Sequence, residues 1–206
     1  MTTWFTSDLH LNHASMVRSD GTKTGIMEYC PESRPFNGDV ETMNDAIIKA
    51  FHSRVGIDDT VYILGDLCMG PRDQHESLVR RLTLDGLLDV RLVAGNHDEE
   101  KKHPALIAGG IRGIYENIIV EAAGKRFWLN HYPIDNSADS RGYTRPEAPG
   151  VYDIALCGHV HNLWKYRAGC INVGIDVWDL HPVSAEELIE FYQNTPALRG
   201  YVRGLG

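Results

Sequence analysis

The sequence predicts an α/β protein whose first half builds a mixed sheet covered by helices and whose second half adds a β-rich sheet packed on the first. Three observations carry this. Five apolar runs lead straight into Asp, Asn or His: Thr3 to Ser7 into Asp8-Leu9-His10, Thr60 to Leu64 into Gly65-Asp66, Val90 to Ala94 into Gly95-Asn96-His97-Asp98, Lys125 to Leu129 into Asn130-His131, and Ile154 to Cys157 into Gly158-His159-Val160-His161. Helical periodicity separates the first three runs. Hairpin turns, Ala123-Gly124 and Ala168-Gly169, punctuate the second half instead.

Taken in order, the first run is a strand that delivers Asp8 and His10 to one side, because alternate strand residues share a face. Asn12 and His13 follow at once. From Ala14 to Asp39 the chain is polar and irregular, with Gly21, Gly25, Pro31, Pro35 and Gly38, and a loop of this length suits a lid over a site. Val40, Met43, Ala46, Ile47, Ala50 and Phe51 recur at three- and four-residue spacing after a cap at Asp39, which predicts a helix to about Arg54. A second helix is expected from Arg72 to Leu84, with Leu78, Val79 and Leu82 facing inward. Ile118 to Ala122 with Lys125 to Leu129, and Leu163 to Arg167 with Cys170 to Val173, read as hairpins. Between them lies a second long loop, 133–152, holding Arg141, Tyr143 and Arg145. Ser184-Ala185-Glu186-Glu187 fits a capping box and opens a helix to about Tyr192. The tail, 194–206, is expected to be loosely held.

The 206 residues suit a single domain, 1–206, and 43% hydrophobic with 23% charged residues is an ordinary soluble composition. The 28 acidic and 20 basic residues leave a net charge of -8, which offers no footprint for wrapping nucleic acid. No run approaches the roughly 20 apolar residues of a membrane span, and Met1-Thr2-Thr3-Trp4 enters a strand without a signal-like region, so a cytoplasmic address is expected. Cys30, Cys68, Cys157 and Cys170 form no Cys-x-x-Cys pair and read as free thiols of a reducing compartment. His52, His75, His103 and His181 lie outside the polar blocks and are expected to face solvent, while Trp178 suits a packing role.

The blocks themselves carry the chemistry. Asn96 offers a neutral carbonyl oxygen, and His97 an imidazole that holds or gives a proton near neutral pH. Asp98 has a carboxylate able to orient that ring or to cap the segment from Glu99. His159 and His161 alternate, which lets two imidazoles point the same way. Oxygen and imidazole donors without thiolate suit borderline divalent ions such as manganese, iron or zinc.

The order Asp8-x-His10, Gly65-Asp66, Gly95-Asn96-His97-Asp98, a lone His131, then Gly158-His159-x-His161 resembles the calcineurin-like metallophosphoesterase superfamily across nearly the whole chain. The resemblance implies a four-layer α/β/β/α sandwich, two mixed sheets flanked by helices, that carries two divalent metal ions. It assigns Asp8, His10 and His161 to one ion, Asn96, His131 and His159 to the other, and Asp66 to both. Thr6-Ser7-Asp8-x-His10 and Asn172-Val173-Gly174-x-Asp176-Val177-Trp178 resemble the small single-domain phosphoesterases of bacteria and their phages. Protein serine/threonine phosphatases read Gly-Asp-x-x-Asp-Arg-Gly and Gly-Asn-His-Glu where this chain has Gly65-Asp66-Leu67-Cys68-Met69-Gly70 and Asp98.

The expected activity is therefore a phosphodiesterase acting on a small phosphodiester or nucleotide. Its mechanism would be in-line attack by a hydroxide bridging two ions, with manganese favoured over iron and zinc. His97 is expected to protonate the leaving oxygen, with Asp98 holding its ring. Asn12, His13, Arg34, Arg141, Tyr143 and Arg145 are the expected substrate contacts, because a phosphate site calls for a basic group. A phosphomonoesterase or nuclease of the same superfamily is the alternative, and a non-catalytic metal-binding scaffold the rival from another class. A scaffold has no chemical requirement for seven ligands plus His97. No membrane partner is expected, and nucleic acid is not favoured.

Overall fold

A computed structural model describes residues 1–134 and 147–195. In chain order the first half comprises β1 (Thr3–Thr6), the ribbon β2 (Met16–Val17) and β3 (Lys23–Thr24), the single turn α1 (Ile26–Tyr29), α2 (Val40–His52), β4 (Thr60–Ile63), α3 (His75–Thr83), β5 (Asp89–Val93), α4 (His103–Ala108) and β6 (Ile111–Tyr115). The second half comprises β7 (Asn117–Ala122), β8 (Lys125–Asn130), β9 (Ile154–Cys157), β10 (Tyr166–Arg167), β11 (Cys170–Asn172), β12 (Val183–Ser184) and α5 (Ala185–Asn194).

Two five-stranded mixed sheets result, ordered β12-β1-β4-β5-β6 and β10-β11-β9-β8-β7. In the first, β1, β4, β5 and β6 run parallel and β12 closes the edge antiparallel. In the second, β8, β9 and β11 run parallel between antiparallel edges β7 and β10. Alternation along each strand decides the layering. Val61 and Ile63 of β4 turn toward Met43, Ile47 and Phe51 of α2 and Val79 and Leu82 of α3, whereas Tyr62 and Leu64 meet Phe127 and Leu129 of β8 and Ile154 and Leu156 of β9. Phe5, fully buried, joins the sheets, its ring 5.1 Å from Phe127 and 6.0 Å from Tyr62. The outer face of the second sheet is covered by Ile134, Ala148, Tyr152 and Trp164. Helices α2 and α3 thus cover the first of two mixed sheets that pack face to face, the metallophosphatase-like architecture.

Local chemistry accounts for the element ends. Asp39 accepts the Thr42 N–H at 3.0 Å and starts α2. Ser184 and Glu187 form the reciprocal capping box of α5. Both hairpin turns have positive φ at both central residues, Ala123 and Gly124 (47° and 73°) and Ala168 and Gly169 (49° and 78°), the geometry whose twist matches paired strands.

The segment 14–39 departs from expectation: it holds β2, β3 and α1, and Ile26, Met27 and Cys30 are buried. Two-residue strands carry no periodicity, so the sequence reads as irregular there. For the same reason α4, only six residues long, and β6, interrupted by Gly113, lack a sequence signal. Of the histidines outside the blocks, three are tied to main chain, and His52, His103 and His181 are only partly exposed. His75 is buried with Nε2–H donating to Met69 O (3.1 Å), and His52 and His103 donate to Leu82 O and Asp98 O at 2.9 Å each. Trp178 packs as expected, against Phe191 and with its indole N–H on Asn172 O (2.8 Å).

Candidate active site

Every expected ligand emerges from the C-terminal end of a parallel strand, where open α/β sheets place their sites. β1, β4 and β5 supply Asp8 and His10, Asp66, and Asn96; β8 and β9 supply His131, and His159 with His161. The sheets are tied together at this end by a bridge between Ser7 and Gly174, with Ile175 N–H donating to Ser7 O at 3.1 Å.

The strands stop short of the ligands. Asp8, His10, Asp66, His159 and His161, five of the seven expected ligands, have φ between 47° and 71°, the left-handed region. Such conformations cost roughly 1–3 kcal/mol each and persist only where surroundings over-determine them. The surroundings here are main chain: Asp8 N–H donates to Gly65 O (3.0 Å), and His10 N–H to Asp66 O (2.9 Å). His159 N–H donates in turn to both oxygens of Asp8 (3.1 and 3.0 Å). Two glycines permit the approach. A Cβ on Gly95 would lie 2.8 Å from Asp66 N and 2.9 Å from His131 Cε1, and one on Gly158 would lie 2.6 Å from Asp8 Oδ2.

The side chains form two clusters joined by Asp66. In one, ligand atoms of Asp8, His10 and His161 lie within 4.8 Å of one another. In the other, Asn96 Oδ1 is 3.1 Å from His131 Nε2 and 3.0 Å from His159 Nδ1, and the two nitrogens are 3.2 Å apart. Asp66 Oδ2 lies between them, 3.5 Å from His10 Nε2 and 3.6 Å from His131 Nε2. His131 Nδ1 meets Leu64 O at 2.7 Å, and a carbonyl only accepts, so Nδ1 carries the proton and Nε2 faces the cluster with its lone pair. His10 Nε2 is buried without a hydrogen-bond partner. A lone-pair nitrogen beside a carbonyl oxygen, an unpartnered imidazole nitrogen and two carboxylates converge here, and that donor set fits divalent cations.

The electrostatics agree. Burial raises the Asp8 carboxyl above its ordinary value against the pull of His161 and His131. For Asp66 burial works upward too, but His131 and His10 outweigh it and hold the carboxyl well below the usual range. Burial would depress His131, yet Asp66 and Asp8 raise it instead.

Several expected roles change. Asp98 does not orient the His97 ring: its buried carboxylate accepts the N–H groups of Asp66 (2.7 Å), Leu67 (3.1 Å) and Gly95 (2.9 Å), clamping the Gly65 turn to the Gly95 turn. Nor does it cap the segment after it, whose N-cap is Glu99. Lys102 ties the same turns by donating to Cys68 O and His97 O at 3.1 and 2.6 Å. His97 is anchored by its main chain, N–H to Asp66 Oδ1 at 2.9 Å, while its side chain is 37% exposed with Nε2 3.9 Å from Asp66 Oδ2. Arg34 is no surface phosphate contact. It is 1% exposed, and its guanidinium is committed to Asp176 and to the main chain at Asp8 and Leu9. The Asn12 amide donates to Gln74 Oε1 (2.6 Å), and His13 Nδ1 sits 3.1 Å from His10 Nδ1. His159 and His161 do not point the same way: left-handed backbone sends them to different clusters. Arg141, Tyr143 and Arg145 lie outside the described residues.

Sequence reasoning missed a role for Asp176, which meets His161 Nδ1 at 3.0 Å, and for Asn172, which holds the main chain of His161 and Trp164. Their signal was present: β11 is one more apolar strand running into polar residues. Cys30 also lies near His161 and Asp176, but burial pushes its thiol up to about 12 and keeps it protonated.

Residues 1–174 match the family model of the calcineurin-like phosphoesterase superfamily domain. The chain belongs to that superfamily. It is a metal-dependent phosphoesterase, and the site just described is built from that family's blocks. The phosphoesterase is 30% identical over 210 residues to the Gene 66 protein of Mycobacterium phage L5, covering 91% of this chain and 92% of that one. It is 28% identical over 202 residues to an uncharacterized protein of Methanocaldococcus jannaschii, covering 94% and 92%. Its fold is similar to the crystal structure of a protein of unknown function from Aquifex aeolicus, with a TM-score of 0.63 and 25% identity over 92% of this chain and 98% of that chain. Among the described residues no helix is long and apolar enough to cross a membrane.

Proposed function

We propose that this phosphoesterase is a two-ion phosphodiesterase for a small phosphodiester or nucleotide, with manganese as the working metal. The observation that carries the two-ion reading is Asp66 Oδ2, equidistant within 0.1 Å from His10 Nε2 and His131 Nε2 at 3.5 and 3.6 Å. Asp8, His10 and His161 would hold one ion, Asn96, His131 and His159 the other, and Asp66 would serve both.

Bound there, divalent ions supply Lewis-acid polarisation of the phosphoryl oxygens and a nucleophilic water at neutral pH. The protein tunes that charge. Asp8 and Asp66 contribute two negative charges against the four of two divalent ions, leaving about +2 to attract a phosphoester, and a neutral amide at Asn96 avoids cancelling it further. The reaction is an in-line displacement at phosphorus. His97 Nε2 gives its proton to the departing oxygen, a role that its partly exposed ring and main-chain anchor on Asp66 support. Arg34, expected as a phosphate contact, is buried beneath the site with its guanidinium on Asp176 and does not reach the substrate. Arg141, Tyr143 and Arg145 are the proposed contacts to the rest of the substrate.

The deciding experiment compares kcat/KM of the manganese-loaded enzyme on bis(p-nitrophenyl) phosphate and p-nitrophenyl phosphate. Preference for the diester is expected. Preference for the monoester would overturn the diesterase reading and leave the superfamily assignment standing.

A further inference from the structure

Building on the reading of Asp8, His10 and His161 as one ion site, we propose that Arg34 and Asp176 form a buried positioning pair. The pair fixes which nitrogen of His161 faces the ion and makes Ser33 and Arg34 a structural part of that site. Asp176 Oδ2 lies 3.0 Å from His161 Nδ1. A carboxylate only accepts, so Nδ1 carries the proton and Nε2 keeps its lone pair for a cation. A ligating histidine held this way by a second group gains a fixed tautomer and ring orientation.

The carboxylate is itself held. Asp176 Oδ1 accepts Arg34 Nε–H at 2.7 Å and the Ser33 hydroxyl at 2.8 Å, and Oδ2 accepts Arg34 Nη2–H at 3.1 Å. Both side chains are 0% exposed. The two-pronged guanidinium contact defines the carboxylate plane as a lysine could not. The same guanidinium donates through Nη2 to Asp8 O (2.5 Å) and through Nη1 to Leu9 O (3.0 Å). One group therefore grips the carboxylate behind His161 and the left-handed main chain that carries Asp8.

Charge is not the pair's contribution, since Arg34 and Asp176 cancel and leave the balance set by Asp8 and Asp66 unchanged. Nor is Asp176 placed to bind a cation directly. Its oxygens are filled by Arg34, Ser33 and His161, and an ion there would have to expel the guanidinium. What remains is orientation. Asn172 supports it from the other side, its amide donating to His161 O at 2.7 Å.

The test has two readouts on the full chain. In metal-free wild-type protein labelled with nitrogen-15 at histidine, long-range proton–nitrogen correlation is expected to find His161 protonated at Nδ1. Protonation at Nε2 would overturn the proposal. Calorimetric titration of metal-free protein with manganese then compares wild type, Asp176→Asn and Arg34→Lys. The amide of Asp176→Asn can donate to Nδ1 and release the other tautomer, so one of the two binding steps should weaken about 10- to 100-fold while the other stays put. Arg34→Lys keeps the charge, loses the fork and should weaken the same step. Equal weakening of both steps, or of neither, contradicts the pair. Wild type that takes up no second ion defeats the two-ion reading instead, and the tautomer measurement still decides the proposal on the metal-free protein.

Discussion

The two clusters proposed to hold ions are oriented by different means. In the cluster of Asn96, His131 and His159, the His131 ring is set by the main-chain carbonyl of Leu64 at 2.7 Å. In the cluster of Asp8, His10 and His161, both rings are set by side chains, His10 by His13 and His161 by Asp176. A carbonyl at a strand end cannot be mutated away, whereas a side chain can. The first kind of site is fixed by the fold, and the second is open to adjustment of affinity by single substitutions.

Asp66, shared by both clusters, is the most sensitive position. Asp66→Asn removes the carboxylate between the clusters and should abolish uptake of both ions and diester turnover, read by elemental analysis after dialysis and by rate assay. Retention of one ion would mean that Asp66 serves a single cluster. His97→Ala touches neither ring-holding scheme and should lower turnover roughly 10²- to 10⁴-fold with metal content intact. Parallel loss of metal would reassign His97 as a ligand. Arg34→Met leaves Asp176 buried without its partner and should cost about 3–5 kcal/mol in urea denaturation; a surface phosphate contact would cost under about 0.5 kcal/mol. His13→Ala should weaken one manganese step about tenfold and spare the other, since it frees only His10.

The two clusters also respond differently to pH. Burial pushes His10 down to about 3 and His13 down to about 4 in the metal-free fold. The unfolded chain therefore takes up those protons as pH falls below about 6.5, where the folded protein does not, and metal-free stability falls from there toward pH 4. His131 has the opposite sign: its raised value stabilises below about 6.5 and is lost as pH rises through the folded value. Melting curves across pH should thus slope downward on the acid side, less steeply in His13→Ala.

Much of this site is legible in the sequence. Strand ends leading into Asp, Asn and His identify Asp8, Asp66, Asn96, His131 and His159, because apolar alternation ends where polar loops begin. The helices α2 and α5 follow from Asp39 and the Ser184 capping box. What stayed hidden depends on contacts distant in sequence. Arg34 reads as a loop cation until Asp176, 142 residues away, closes on it. Asp98 reads as a partner of its neighbour His97, yet the N–H groups of Asp66 and Leu67, across the site, claim its oxygens. Left-handed φ at Asp8 and His161 is equally invisible, so strand alternation misjudges where those side chains go.

The proposed chemistry needs two ions acting together around Asp66. Its most direct test is turnover of bis(p-nitrophenyl) phosphate measured while manganese is added stepwise to metal-free protein, with bound metal counted at each step. Little activity is expected at one equivalent and full activity on binding the second. Full activity at one bound ion, or none with two bound, would contradict it.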